Sequence, residues 1–117
     1  MKTETYNGYT NYETWLVALH LDNSQGDQEM WNERAEDALR VTDFDNDKAI
    51  NRLADEMEEE LENGEMVEEM MKPLPSMYQD LLNGALSEVD WRDIAENYVQ
   101  TAKDEMIASG EIEKDGE

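Results

Sequence analysis

The chain has 117 residues, a length that suits one domain with a sizeable apolar core. Asp and Glu number 31 against nine Lys and Arg, so the formal net charge is -22. This charge opposes direct binding to nucleic acids or anionic membranes, and the lack of cysteine excludes disulfides and thiolate metal sites. No apolar run approaches the ~20 residues of a membrane helix, and residues 1–5 lack a secretion signal. We therefore expect a cytoplasmic protein.

Apolar residues recur at helical spacing along most of the chain, which predicts an all-α compact bundle of about five to six short helices without a sheet. In the N-terminal segment, Asn7-Gly8 is a turn signal, and Thr10 to Glu13 fits a capping box that starts the first helix at Thr10. One face of this helix should carry the apolar residues Tyr12, Trp15, Leu16 and Leu19.

Two longer helices should follow, each with an apolar stripe facing the core. The second runs from near Asp27 to about Arg40, with Trp31, Ala35, Ala38 and Leu39 as its inner stripe. The third begins after the polar connector 42–47 and ends at Asn63-Gly64. Its apolar side consists of Ile50, Leu53, Ala54, Met57 and Leu61.

The second half of the chain predicts three more helices. A short helix with Met66, Val67, Met70 and Met71 is stopped by Pro73 and Pro75. The helical spacing of these methionines favours core packing over an adaptable binding surface. The next helix carries Met77, Tyr78, Leu81, Leu82, Ala85 and Leu86. The last begins at the cap Asp90 and ends before Gly110, so residues 1–110 form a single domain and 111–117 an acidic, disordered tail.

The acidic residues are concentrated in two stretches. Residues 55–69 contain nine acids without a Lys or Arg: Asp55, Glu56, Glu58, Glu59, Glu60, Glu62, Glu65, Glu68 and Glu69. The preceding helix adds five acids, diluted only by Arg34: Asp27, Glu29, Glu33, Glu36 and Asp37. Like charges four residues apart on a helix repel each other, so these stretches cost the fold stability.

Such a charge density suggests imitation of DNA. Duplex DNA presents one negative charge per ~1.7 Å of axis, and a helix rises ~1.5 Å per residue. Carboxylates on a rigid helix can therefore approximate a row of phosphates and occupy a basic DNA-binding channel. The alternatives are that the acids form a solvated helix face that maintains solubility, or that they adapt the protein to high salt.

The sequence offers little for catalysis or metal binding. Asp43 to Asp47 begins like a calcium loop, but Lys48 and Ala54 stand where the turn Gly and the bidentate Glu belong. The single histidine, His20, lies among apolar neighbours, which favours a partly buried structural role. We expect no catalytic residues, no metal site and no cofactor.

An alternative binding segment lies near the N-terminus, where charges are few. Tyr6, Tyr9, Tyr12 and Trp15 crowd this segment. They are expected to pack over the helices, but an exposed aromatic patch here would anchor a protein interface. In that case the acids would serve solubility.

Two stretches resemble a group of small acidic proteins of bacteriophages, archaeal viruses and plasmids that have no assigned function. They are Tyr6-Asn7-Gly8-Tyr9-Thr10-Asn11-Tyr12-Glu13-Thr14-Trp15, continuing through Ala18 to Asn23, and Leu81 to Trp91 with Ile94-Ala95-Glu96. His20 departs from the aromatic residue expected in that group. The resemblance implies a mobile-element origin, and such proteins are often inhibitors of restriction enzymes or CRISPR complexes.

Together these features favour a non-enzymatic inhibitor that binds a host protein through that protein's basic nucleic-acid-binding surface. The fourteen acids of the two stretches would make the contact. A homodimer is compatible with the sequence, which does not identify the target.

Overall fold

The computed structural model describes residues 6–112, and this part of the chain is all-α. Its helices are α1 (Tyr12–Asn23), α2 (Gln25–Val41), α3 (Asn46–Met57), α4 (Glu65–Met71), α5 (Ser76–Ser87) and α6 (Trp91–Ser109), with a π-helical turn (Glu58–Glu62) between α3 and α4. An isolated antiparallel bridge joins Tyr6 to Tyr9, and no sheet occurs in this range. The predicted all-α class and helix number are confirmed.

Four helices form the body of the molecule. Helices α2, α3 and α6 pack against one another, and α1 packs against α2 and α6. The predicted stripes of α2 and α3 are buried there, together with the inner face of α6. The largest fully buried side chains are Trp31, Leu39, Leu53, Met57, Ile94, Val99 and Thr14. We call α1, α2, α3 and α6 the helical body.

Side-chain caps fix where the body helices begin. Asn11, Ser24, Asp45 and Asp90 each accept a hydrogen bond from a backbone N–H of the first turn. The prediction that Thr10 caps α1 is therefore wrong, because the cap is one residue later. The predicted apolar face of α1 is also wrong, since Thr14, Ala18 and Leu21 point into the core.

The polar connector between α2 and α3 is a tight left-handed turn. Asp43 and Phe44 have φ of 60° and 64°, in a region that L residues rarely occupy. The N–H of Phe44 donates to the carbonyl of Leu39 at 2.6 Å, and Phe44 packs on the core. Asp45 then caps α3, so the segment that resembled a calcium loop serves as a turn between two helices.

After α3 the helix widens into the π turn, closed by the N–H of Asn63 donating to the carbonyl of Glu58 at 3.1 Å. Here the chain leaves the body, and Gly64 permits a close approach of two backbone segments. A Cβ added at Gly64 would collide with the carbonyl oxygen of Glu60. The predicted end at Asn63-Gly64 is confirmed, but the last five helical residues are π-helical.

The π turn, α4 and α5 form an extension, whose main contacts are made through the π turn. Neither α4 nor α5 buries a single residue. Met66 is 78% exposed and Met70 61%, so the prediction that these methionines fill the core is wrong. The methionines do lie on a helix, as predicted, but that helix does not pack against the hydrophobic core.

Two further expectations need correction. His20 is exposed, because it lies on the outer side of α1. Glu111 and Ile112 were placed in a disordered tail, yet Glu111 binds Arg40 through both carboxylate oxygens at 2.6 and 3.0 Å. Ile112 packs against the core. Residues 113–117 lie outside the described residues, so the tail prediction is untested there.

Candidate functional site

A groove of about 710 Å³ lies between the helical body and the extension, and both acidic stretches contribute to it. Its apolar lining comes from Leu21, Met30, Trp31, Leu61 and Met66, and its acidic lining from Asp27, Glu59, Glu60 and Glu65. In the described part of the chain, no Lys or Arg lines it. An apolar floor with an acidic rim suits a ligand that has both apolar and cationic groups.

The local structure explains how these residues meet. The cap at Ser24 starts α2 immediately after α1, which places Asp27 and Met30 beside the end of α1. The π turn directs Leu61 towards the core and Glu59 and Glu60 to the groove. Gly64 then lets α4 begin close to the π turn, which adds Glu65 and Met66.

Trp31 forms part of the floor and is almost fully buried. Its ring lies under the guanidinium of Arg34, with 4.6 Å between the guanidinium carbon and the ring centroid. Its indole Nε1 is buried and has no hydrogen-bond acceptor among residues 6–112. A buried donor without a partner is uncommon in folded proteins.

Basic side chains neutralise only part of the predicted acidic surface. Five of its fourteen acids contact a Lys or Arg: Glu36, Asp37, Glu56, Glu60 and Glu69. The other nine have no such partner within 4.0 Å among residues 6–112: Asp27, Glu29, Glu33, Asp55, Glu58, Glu59, Glu62, Glu65 and Glu68. Three of the four groove acids, Asp27, Glu59 and Glu65, belong to this second set.

Arg34 links the two acidic stretches. It lies on α2 and pairs with Glu60 in the π turn and, at 3.7 Å, with Glu56 on α3. All three side chains are partly solvent-exposed, so each pair adds little to stability. The consequence is geometric, because these pairs hold the π turn against α2, while Glu59 has no counterion among residues 6–112.

The run from Asp55 to Glu69 does not form one continuous face. Asp55, Glu58 and Glu62 line a different cleft, which they share with Asp90 and Arg92 near the start of α6. Glu62 also accepts a hydrogen bond from the indole Nε1 of Trp91 at 3.0 Å. The acidic run is thus divided between two clefts.

The remaining predicted acids lie away from the groove. On α2, Glu29 and Glu33 are exposed, and Glu36 and Asp37 share Arg40 with Glu111. The pairing with Arg40 holds the pKa of Glu111 below its usual value. On α4, Glu68 faces a cleft towards α5, and Glu69 pairs with Lys72 at 3.0 Å. Only Asp27 from the α2 stretch joins the acids of the extension at the groove.

The aromatic segment forms a partly exposed cluster. Tyr6 meets Tyr12 edge to face with 5.3 Å between ring centroids, and Trp15 lies 5.0 Å from Tyr6 and 5.8 Å from Tyr12. Asn7 and Gly8 have positive φ and make the predicted turn that brings Tyr6 onto α1. Tyr9 is not part of the cluster, because it packs against the core.

The two stretches that carry the family resemblance contact each other. The Thr10 hydroxyl donates to Asp90 or Asp93, and the Asn11 amide donates to the carbonyl of Glu88 at 2.7 Å. The buried Thr14 hydroxyl accepts the N–H of Asp90 at 2.9 Å. These polar residues hold the starts of α1 and α6 together, so this part of the motif is structural.

A smaller cavity of about 280 Å³ lies on the other side of α1, and Tyr9, Asp22, Asn32 and Tyr98 line it. The Tyr98 hydroxyl donates to Asp22 at 3.3 Å. Burial, reinforced by the Asp22 charge, raises the pKa of both tyrosines. Both hydroxyls are therefore protonated at neutral pH, as they would be in an unperturbed tyrosine, and the Tyr98 hydroxyl donates to Asp22.

The described residues provide neither a cluster of metal ligands nor a membrane-spanning helix. Across the described part of the chain, no three His, Asp or Glu side chains converge as metal ligands. Within residues 6–112, no helix combines the length and apolar character that crossing a membrane requires.

Sequence reasoning missed the floor of the groove. Leu21, Met30 and Trp31 read as ordinary apolar residues on helices, and Trp31 was assigned to the core. The floor exists because the π turn and α4 rise beside α2, a relation between elements far apart in sequence.

The chain belongs to a family of unknown function, DUF7249, whose model matches residues 2–115. No curated protein and no solved structure matches the chain.

Proposed function

We propose that this protein is a non-enzymatic inhibitor from a phage or mobile element that binds the basic nucleic-acid-binding surface of a host defence protein of restriction or CRISPR type. The observation that carries the proposal is the acidic rim of the groove, where Asp27, Glu59 and Glu65 have no basic partner among residues 6–112. A net charge of -22 adds a long-range field of the same sign.

In this contact, carboxylates of the protein would take the place of the DNA phosphates that the partner normally binds. Arg and Lys side chains of the partner would reach the rim of the groove, and their methylene stems would lie on Met30, Leu61 and Met66. Flexible methionines allow such a floor to adapt to the partner. The second acidic cleft, with Asp55 and Glu58, extends the charged surface beyond the groove.

The charge also sets the kinetics of binding. Opposite potentials steer two proteins together and speed association, and salt weakens this steering. A DNA mimic has one further property, because duplex DNA and the protein would compete for the same partner surface.

The test captures partners from a bacterial lysate on the immobilised protein, elutes with rising salt and identifies them by mass spectrometry. The triple variant Asp27→Lys/Glu59→Lys/Glu65→Lys should lose the captured proteins, whereas duplex DNA should displace them from the unchanged protein. These three side chains are exposed and have no basic partner among residues 6–112, so the variant should keep its helical circular-dichroism signal.

A matched control carries the same change in net charge. Glu96→Lys/Asp104→Lys/Glu105→Lys reverses three exposed acids on α6, away from the groove. It should capture the same proteins with slightly earlier salt elution. Equal capture by the groove variant and the control would contradict a specific role for the groove.

A second candidate function is a protein-interaction module that uses the aromatic cluster, with the acids serving solubility. It is favoured by the exposure of Tyr12, at 48% of its side chain, beside Tyr6 and Trp15. Tyr12→Ala should then abolish capture while the groove variant keeps it. Tyr12 is the better position for this test than Tyr9, since Tyr9 packs against the core.

A further inference from the structure

Helix α5 faces the rest of the molecule with its polar side. Gln79 donates to the carbonyls of Met71 and Leu74 at 3.0 and 2.9 Å, which anchors α5 to the end of α4. Gln79 and Asn83 line the cleft between α4, α5 and the π turn, and Leu86 packs on the core. The apolar side of the helix therefore points away from the protein.

That outer side is a continuous apolar strip. It consists of Met77, Tyr78, Leu81, Leu82 and Ala85, which at about 100° per residue span an arc of about 140°. All five are exposed, with Leu81 at 61%. Single exposed apolar residues are ordinary, but a strip of this kind marks an interaction surface. We call these five residues the α5 strip.

Charge distinguishes the α5 strip from the rest of the surface. In a chain of net charge -22, the twelve residues of α5 contain one charged side chain, Asp80, which lies outside the strip. A cationic partner would find no carboxylate within the strip to pair with. A second acidic molecule, in contrast, could approach here with little electrostatic repulsion.

Nothing within residues 6–112 covers the strip, since all five of its members are exposed. Residues 1–5 and 113–117 have the sequences Met-Lys-Thr-Glu-Thr and Glu-Lys-Asp-Gly-Glu, in which Met1 is the sole large apolar residue. A helix of this length is also marginal without tertiary support, so α5 gains from a partner. The α5 strip of another copy supplies an apolar, uncharged face of the same length.

We infer that the α5 strip is a homodimer interface in which the α5 helices of two copies pack against each other about a two-fold axis. Such an interface is self-complementary, since the same residues meet on both sides. Helix axes in contact lie about 8–10 Å apart, which lets Leu81 near the middle of the strip meet its counterpart. None of the strip residues lines the acidic groove, so this inference does not depend on the proposed function.

The first test measures mass in solution by sedimentation over a concentration series, in salt sufficient to screen repulsion between copies. The unchanged protein should be dimeric at the highest concentrations of the series. Leu81→Glu should raise the dissociation constant at least about tenfold, because it buries charge in the interface. Val41→Glu is the matched control, an equally exposed apolar residue at 62% on α2, and should leave the dimer intact.

The second test uses the absence of cysteine from the chain. A single Leu81→Cys should form a disulfide-linked dimer under mild oxidation, because the two Cα atoms can lie within the 4.4–6.8 Å that a disulfide needs. Val41→Cys should stay monomeric under the same conditions. The inference would be overturned if the protein were monomeric at every concentration, or if both positions cross-linked equally. A monomeric protein would indicate that the α5 strip binds a different protein.

Discussion

The helical body and the extension have similar apolar residues but use them in opposite ways. In the body, Leu53 and Met57 are fully buried between α3 and its neighbours. In the extension, Met66, Met70 and Leu81 show the same helical spacing and are largely exposed. Periodicity therefore reports that a helix has an apolar face, whereas the neighbours of that helix decide whether the face is buried.

The boundary between the two regions is the π turn, where the acidic run divides. Five successive residues, Glu58 to Glu62, include four carboxylates and one leucine. Leu61 packs on the core, and the carboxylates are distributed over the two clefts. The site of the proposed function thus lies at the junction between the well-packed helical body and the extension, whose helices α4 and α5 have no buried residues.

The largest expected effect compares one residue type in the two regions. Met57→Ala should lower the free energy of unfolding by about 2–5 kcal/mol, because it leaves a cavity in the core. Met66→Ala should change it by less than about 0.5 kcal/mol, because the side chain is 78% exposed. Urea unfolding followed by circular dichroism measures both. Equal effects would mean that the extension is as well packed as the body.

A smaller effect is expected at the junction. Gly64→Ala should destabilise the protein by about 1–3 kcal/mol, because its Cβ would collide with the backbone carbonyl of Glu60. Gly84→Ala in α5 is the control, since open space surrounds it and alanine favours a helix by up to about 1 kcal/mol. If the Gly64→Ala variant were as stable as the unchanged protein in the same assay, the junction would tolerate a larger distance between the backbones of residues 60 and 64.

The smallest expected effect concerns the unpaired acids. Raising the salt concentration should raise the melting temperature, because it screens repulsion among carboxylates that outnumber the basic residues. Relief of about 1 kcal/mol would correspond to a shift of about 4 °C in a chain of this length. In Glu58→Gln/Glu59→Gln, the shift should be smaller than in the unchanged protein. A melting temperature independent of salt would show that the charges are already compensated.

Local chemistry was readable from the sequence. The turn at Asn7-Gly8, the stop at the prolines after α4 and the cap at Asp90 depend on residues close together in the chain. The buried stripes of α2, α3 and α6 followed from spacing, because a long helix with a strong apolar face packs that face inward. The extent of negative charge was likewise a property of composition.

Only the tertiary structure decided which surfaces these elements form. The acidic run is continuous in the sequence, which does not say whether it makes one surface; in the structure its members line two clefts, and Asp27 joins Glu59 and Glu65 across more than thirty residues of chain. Thr10 is predicted from the sequence as a helix cap, yet its hydroxyl and that of Thr14 bind the start of α6. The physical reason is the same in each case: spacing along one helix determines which side chains share its face, whereas the packing of other helices determines what that face meets.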